Sequence, residues 1–146
     1  MISTQSLKEH ELSLAFHLAT GYEIAGYYPD YKCWRAEKRH GETGLTSISV
    51  INDFRSRFHH TAYERVLCEA TIIREMRSEN ICLKWDRNKD YELYFAAMPE
   101  ISAVSPYLAK AFMMVMVKKE LGDILTASAI EAMNLNKTRT FQGSPI

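Results

Sequence analysis

The sequence predicts an α+β fold with a mainly antiparallel sheet, built from two β-hairpins with helices packed on it. Three observations carry this. Apolar residues recur at helical spacing in four separate stretches, and two pairs of strand-like runs are each joined by a short polar turn. Short turns between consecutive strands allow antiparallel pairing and leave no room for crossover helices. At 146 residues, with 47% hydrophobic and 25% charged side chains, the chain has the composition of one ordinary globular domain with a sizeable core. The expected division is a single domain over residues 1–134 and a polar, flexible tail over 135–146.

Ser6 followed by Glu9 fits a capping box, and Leu12, Ala15, Phe16 and Ala19 continue on one helical face to Gly21, a natural stop. The first hairpin pairs Tyr31 to Lys38 with Leu45 to Ile51 across the loop His40-Gly41-Glu42-Thr43-Gly44. Thr61 with Glu64 repeats the capping signature, and Tyr63, Val66, Leu67, Ala70, Ile73 and Met76 set out a second helix to about Arg77. In the second hairpin, Ile81, Leu83 and Trp85 alternate with Cys82 and Lys84, and the chain returns through Tyr91 to Ala96. Ser105-Pro106 opens a third helix to Leu121, with Gly122 as its stop, and a final helix is expected within Asp123 to Met133.

Charge and cysteines narrow the classes of function. Lys+Arg and Asp+Glu both number 18, so there is no global basic field to hold the chain on nucleic acid or an anionic membrane. Three cysteines without CxxC spacing support neither a disulfide framework nor a zinc cage, and point to reduced thiols in a cytoplasm. Glu9, His10 and Glu11 interrupt the stretch in which an export signal needs an apolar run. The most apolar run, Ala111 to Val117, is closed by Lys118 and Lys119, far short of the roughly 18 residues that span a membrane. This helix is apolar over more than one face, and Met113, Met114 and Met116 suit adaptable packing, so one face is expected to be buried in a homo-oligomer.

One surface segment gathers chemistry. From Tyr31 to His60, the cations Lys32, Arg35, Lys38, Arg39, Arg55 and Arg57 face Glu37, Glu42 and Asp53, which leaves +3. Tyr31, Trp34, Phe54 and Phe58 interleave with them. Guanidinium forks beside aromatic faces are what phosphate and base recognition use, although a solvated cationic hairpin has the same letters. The expected contact residues are Trp34 and Phe58 as apolar anchors, Arg35, Arg55 and Arg57 as forked donors, and His59 and His60 beside them. The expected ligand is another protein or a small anion, with specific nucleic acid less favoured.

An enzymatic alternative uses His59-His60-Thr61, because His-x-Thr pairs serve phosphoesterases as base and phosphate-gripping hydroxyl. Those enzymes need two such motifs, and one is present. His60 and Glu64 stand four apart without a third ligand, so no metal is assigned. His10 and His17 lie on one side of the first helix and are expected to be two partly exposed histidines. GxGxxG, GxxxxGK[ST], HExxH and GxSxG do not occur, and no cofactor is assigned.

Three stretches carry a resemblance: ELSLAFHLATGYE at Glu11 to Glu23, EATIIREMRSENICLKWDRNKDYELYFAA at Glu69 to Ala97, and PYLAKAFMMVMVKKELG at Pro106 to Gly122. In pattern and element order these resemble the phage ABA-sandwich family of small phage and prophage proteins of unknown function. Tyr27 to His60 then looks like an insertion, and the chain after Gly122 like an extension. The resemblance implies a phage-encoded accessory protein working in the bacterial cytoplasm, and it implies no active-site residue.

Overall fold

A computed structural model describes residues 2–53, 69–89 and 92–145. A short strand β1 (Ile2–Ser3) and a 3-10 turn (Thr4–Ser6) lead into helix α1 (Glu9–Ala19). Strands β2 (Glu23–Tyr28), β3 (Cys33–Arg39) and β4 (Thr46–Asn52) follow, then helix α2, described from Glu69 to Ser78. Strands β5 (Cys82–Arg87), β6 (Glu92–Met98) and β7 (Ile101–Ser105) precede helix α3 (Leu108–Leu121), strand β8 (Ile124–Leu125) and helix α4 (Ala127–Met133). Among the described residues no helix is long and apolar enough to cross a membrane.

The α+β class holds, with each expected hairpin extended to three strands. Two antiparallel sheets have the orders β2-β3-β4 and β5-β6-β7, and β1 pairs with β8 in a short third. The two extra strands have local causes. Pro29-Asp30 turns β2 into β3, and Lys32 takes a left-handed φ of 48° there. Glu100, at φ 66°, turns β6 into β7, where Ala103 and Ser105 are buried and Ser102 and Val104 exposed.

The layers run sheet, helix, helix, sheet. Helix α1 packs on β2, β4 and α4, and α3 packs on α1 and α2 on one side and on β6 and β7 on the other. This explains the composition of α3: among residues 111–117 none is more than 7% exposed. The homo-oligomer interface expected through Ala111 to Val117 is therefore not available, because the chain's own helices and sheet cover that helix all round. Leucine, methionine and valine on every face reflect burial in a four-layer core.

The described helix starts fall two or more residues after their expected places because a neighbouring group takes over the cap. Ser6 Oγ donates back to the Ser3 carbonyl, and it is Glu11 whose carboxylate accepts the Lys8 N–H, at 2.9 Å. Ser105 ends β7 and its Oγ accepts the Tyr107 N–H, so α3 starts at Leu108. Thr126 Oγ1 accepts the Ala129 N–H at 3.1 Å, which starts α4 late and frees Ile124 and Leu125 to pair with β1. The expected start of the second helix, at Thr61 with Glu64, falls outside the described residues.

The segment after Asn134, expected as a flexible tail, is laid along the first sheet. The Tyr27 N–H donates to the Arg139 carbonyl at 2.9 Å and the Phe141 N–H to the Tyr27 carbonyl at 2.8 Å. Asn134, 1% exposed and left-handed at φ 54°, holds the turn through its side chain. Its Oδ1 accepts the Arg139 N–H at 3.0 Å and its Nδ2 donates to the Arg139 carbonyl at 2.9 Å. Phe141 lies over Gly26, where an added Cβ would stand 2.6 Å from the ring. Backbone pairing and one docked aromatic thus supply what the segment's composition lacks.

Candidate functional site

Of the expected contact residues, the structure describes Trp34 and Arg35, and it turns them to opposite faces of β3. Trp34, expected as an exposed anchor, is fully buried on β3, and its Nε1–H donates to the Asn134 carbonyl at 2.8 Å. Strand β3 is central, flanked by β2 and β4, so its inward side chains fall under α1. Arg35 points the other way and pairs with Glu37 at 2.8 Å. Lys38 folds back to donate to the Thr20 carbonyl at 2.8 Å, at the negative end of α1, and lies over the Tyr22 ring. Arg55, Arg57, Phe58, His59 and His60 lie outside the described residues, as does Thr61.

Around Trp34 the structure assembles a polar clamp. His10, on α1, stacks on the indole with ring centroids 5.7 Å apart and planes 8° from parallel. Asp53 Oδ2 accepts the Tyr27 hydroxyl at 2.7 Å and pairs with Lys137 Nζ at 2.6 Å, while its Oδ1 stands 4.0 Å from His10 Nε2. Burial alone would raise the carboxyl pKa, but bonds from Lys137 and Tyr27 and the charge of Lys137 outweigh it and hold Asp53 below its usual range. Tyr27 is pushed up to about 12, first by burial and then by its bond to Asp53. Every strong partner here is internal, so the clamp ties α1, the first sheet and the C-terminal segment together.

An open concave surface lies on the other side of α1. A cleft of about 550 Å³ is bounded by Phe16, His17 and Thr20 of α1 and its end, Tyr22, Ser49 of β4, Thr71 and Glu75 of α2, and Phe112, Met116 and Glu120 of α3. Its floor is apolar: Phe16 and Phe112 meet edge to face at 5.8 Å, and Met116 lies beside them. Glu75, Glu79 and Glu120 gather at the α2–α3 rim. Lys119 pairs with Glu79 and stands 3.7 Å from Glu120, which leaves carboxylates in excess of ammonium groups on that rim.

His17 supplies the fixed polar group. Its Nδ1 lies 2.6 Å from the Ser13 carbonyl, an oxygen that only accepts, so Nδ1 carries the proton. Nε2 is then the bare nitrogen and accepts the Ser49 hydroxyl at 2.8 Å. Burial lowers the imidazole pKa, so His17 is neutral at physiological pH. Hydroxyl and base are within reach of each other as in nucleophilic catalysis. Both ring nitrogens are nevertheless already used, Nδ1 within α1 and Nε2 in joining α1 to β4, which accounts for the pair as structure.

The expected pair of partly exposed histidines is corrected on one side: His17 is 6% exposed and part of the core edge. Among the described residues, no three His, Cys, Asp or Glu are grouped to hold a metal ion. Cys33 and Cys82 are both free thiols, the first buried and the second exposed. No family model matches the chain, and no curated protein matches it.

Sequence reasoning missed the cleft because its walls come from four elements. One signal was present: two carboxylates four positions apart, Glu75 and Glu79, at the C-terminal end of the second helix.

Proposed function

We propose that the protein acts by binding, as a phage-type accessory protein, and that the cleft between α1, β4, α2 and α3 receives a cationic group with an apolar stem. A lysine or arginine side chain of a host protein has this chemistry. The observation that supports it is the layout of the cleft, an apolar floor of Phe16, Phe112 and Met116 below a rim carrying Glu75, Glu79 and Glu120. Apolar pockets with a few convergent polar groups are the usual form of a ligand site, and surplus carboxylates select the sign of the ligand. A small anion, the other ligand class the basic hairpin suggests, meets repulsion here.

The order helix, hairpin, helix that carries the phage resemblance is present as α2, β5–β6 and α3, with β7 added. Free thiols at Cys33 and Cys82 suit a reducing bacterial cytoplasm.

Calorimetric titration with octylammonium and with octanoate, which share an apolar body and differ in head-group charge, tests this reading. Octylammonium binds with a Kd at least tenfold lower than octanoate, and Glu75→Gln weakens the first about threefold to tenfold while leaving the second unchanged. Equal binding of the two, or preference for octanoate, overturns it.

A further inference from the structure

The edge of the second sheet is built to meet itself. Strand β5 is a sheet edge, and among the described residues it pairs only with β6. All six of its residues are exposed, including two large apolar ones, Leu83 at 40% and Trp85 at 53%. Trp85 is ordered without being covered: it stacks on Tyr94 with centroids 6.4 Å apart and planes 9° from parallel, and Arg87 lies over it at 6.0 Å. A sheet-edge strand of this length, with apolar side chains held ready, is a template for another strand.

We propose that β5 pairs antiparallel with β5 of a second copy, about a two-fold axis at Trp85, to give a continuous six-stranded sheet. The argument is the order of charges along Cys82-Leu83-Lys84-Trp85-Asp86-Arg87. With Trp85 opposite itself, Lys84 of each copy faces Asp86 of the other, which makes two opposite-charge pairs on one face of the sheet. On the other face the two indoles meet and each Leu83 lies against the stem of an Arg87.

Neighbouring registers lose this match. Pairing centred on Lys84 sets two ammonium groups together, and pairing centred on Asp86 sets two carboxylates together; a centre between two residues would set side chains of opposite faces against each other and forms no regular ladder. Edges guarded against association carry like charges toward an approaching copy; this edge presents each copy with its complement.

Sedimentation equilibrium of the full chain, with circular dichroism to confirm folding, tests the proposal. The wild-type chain is dimeric at high micromolar concentration, and Lys84→Asp, which turns both pairs into carboxylate contacts, raises the dimer Kd about tenfold or more. Lys84→Asp combined with Asp86→Lys restores the pairs with signs exchanged and returns the Kd to near the wild-type value. Both positions are exposed, so neither variant endangers the core. A wild-type chain that stays monomeric at millimolar concentration overturns the proposal and leaves the edge to a strand of a different protein. A dimer indifferent to Lys84→Asp, or one not rescued by the exchange, overturns it as well.

Discussion

The indole N–H of Trp34 donates to the main-chain carbonyl of Asn134 at 2.8 Å, joining the central strand of the first sheet to the C-terminal cap of α4 across 100 positions of sequence. The same carbonyl also accepts the Lys137 N–H at 3.0 Å, so loss of the indole does not orphan it. Two substitutions therefore separate the bond from the packing. Trp34→Phe costs about 2 kcal/mol, roughly 1 for the bond and the rest for the missing ring, while Trp34→Ala costs about 3–5. Urea unfolding of the two variants measures both; equal losses would mean that the bond, not the ring, holds this region.

The clamp on Asp53 makes stability depend on pH at both ends. A carboxyl held below its usual range stabilises the fold at and above neutrality, and that contribution is lost as pH falls below about 4 and through the lowered value. Tyr27 has the opposite sign: its raised pKa favours the fold below pH 10, and that advantage is lost as pH rises toward 12. Asp53→Asn costs about 1–3 kcal/mol at pH 7, flattens the acid side and softens the alkaline decline, since Tyr27 keeps only the shift due to burial. Thermal unfolding from pH 2 to 11 measures all three effects.

Gly26→Ala places a methyl group 2.6 Å from a carbon of the Phe141 ring, inside any tolerable contact. The ring must leave, and with it the anchor of residues 135–145. We expect a loss of about 1–3 kcal/mol and faster amide exchange at Phe141, whose N–H otherwise bonds to the Tyr27 carbonyl. In a Phe141→Ala background the same substitution is nearly silent, because the clash has been removed; a full additive cost would show that the strain lies in the β2 backbone instead.

Element types and the pairing of neighbouring strands were legible because they are local. Gly21, at φ 94°, stops α1 where a left-handed residue was expected, and Arg39 pairs with Thr46 and Cys33 with Asn52 across the expected first hairpin. The place of each strand in its sheet was not legible. Without β2 as a partner, β3 reads as one arm of a half-exposed hairpin, and Trp34 then reads as a surface anchor; with β2 and β4 on both sides it is central and buried. The cleft was less legible still. His17 and Ser49 are 32 positions apart, and Phe112 reaches Phe16 from another layer, so no spacing rule brings them together. Arg55, Arg57, Phe58, His59 and His60 lie outside the described residues and bear neither way on the site.

The central claim is that the cleft takes a cation with an apolar stem, and amide chemical-shift mapping during titration with octylammonium tests it most directly. The account predicts saturable shifts at Thr20, Tyr22, Ser49 and Glu75, with Tyr27 and Arg139 at the clamp unmoved, and a titration curve displaced threefold to tenfold toward higher ligand concentration in Glu75→Gln. Shifts scattered over the surface, or shifts in the cleft that octanoate reproduces at equal concentration, would contradict it.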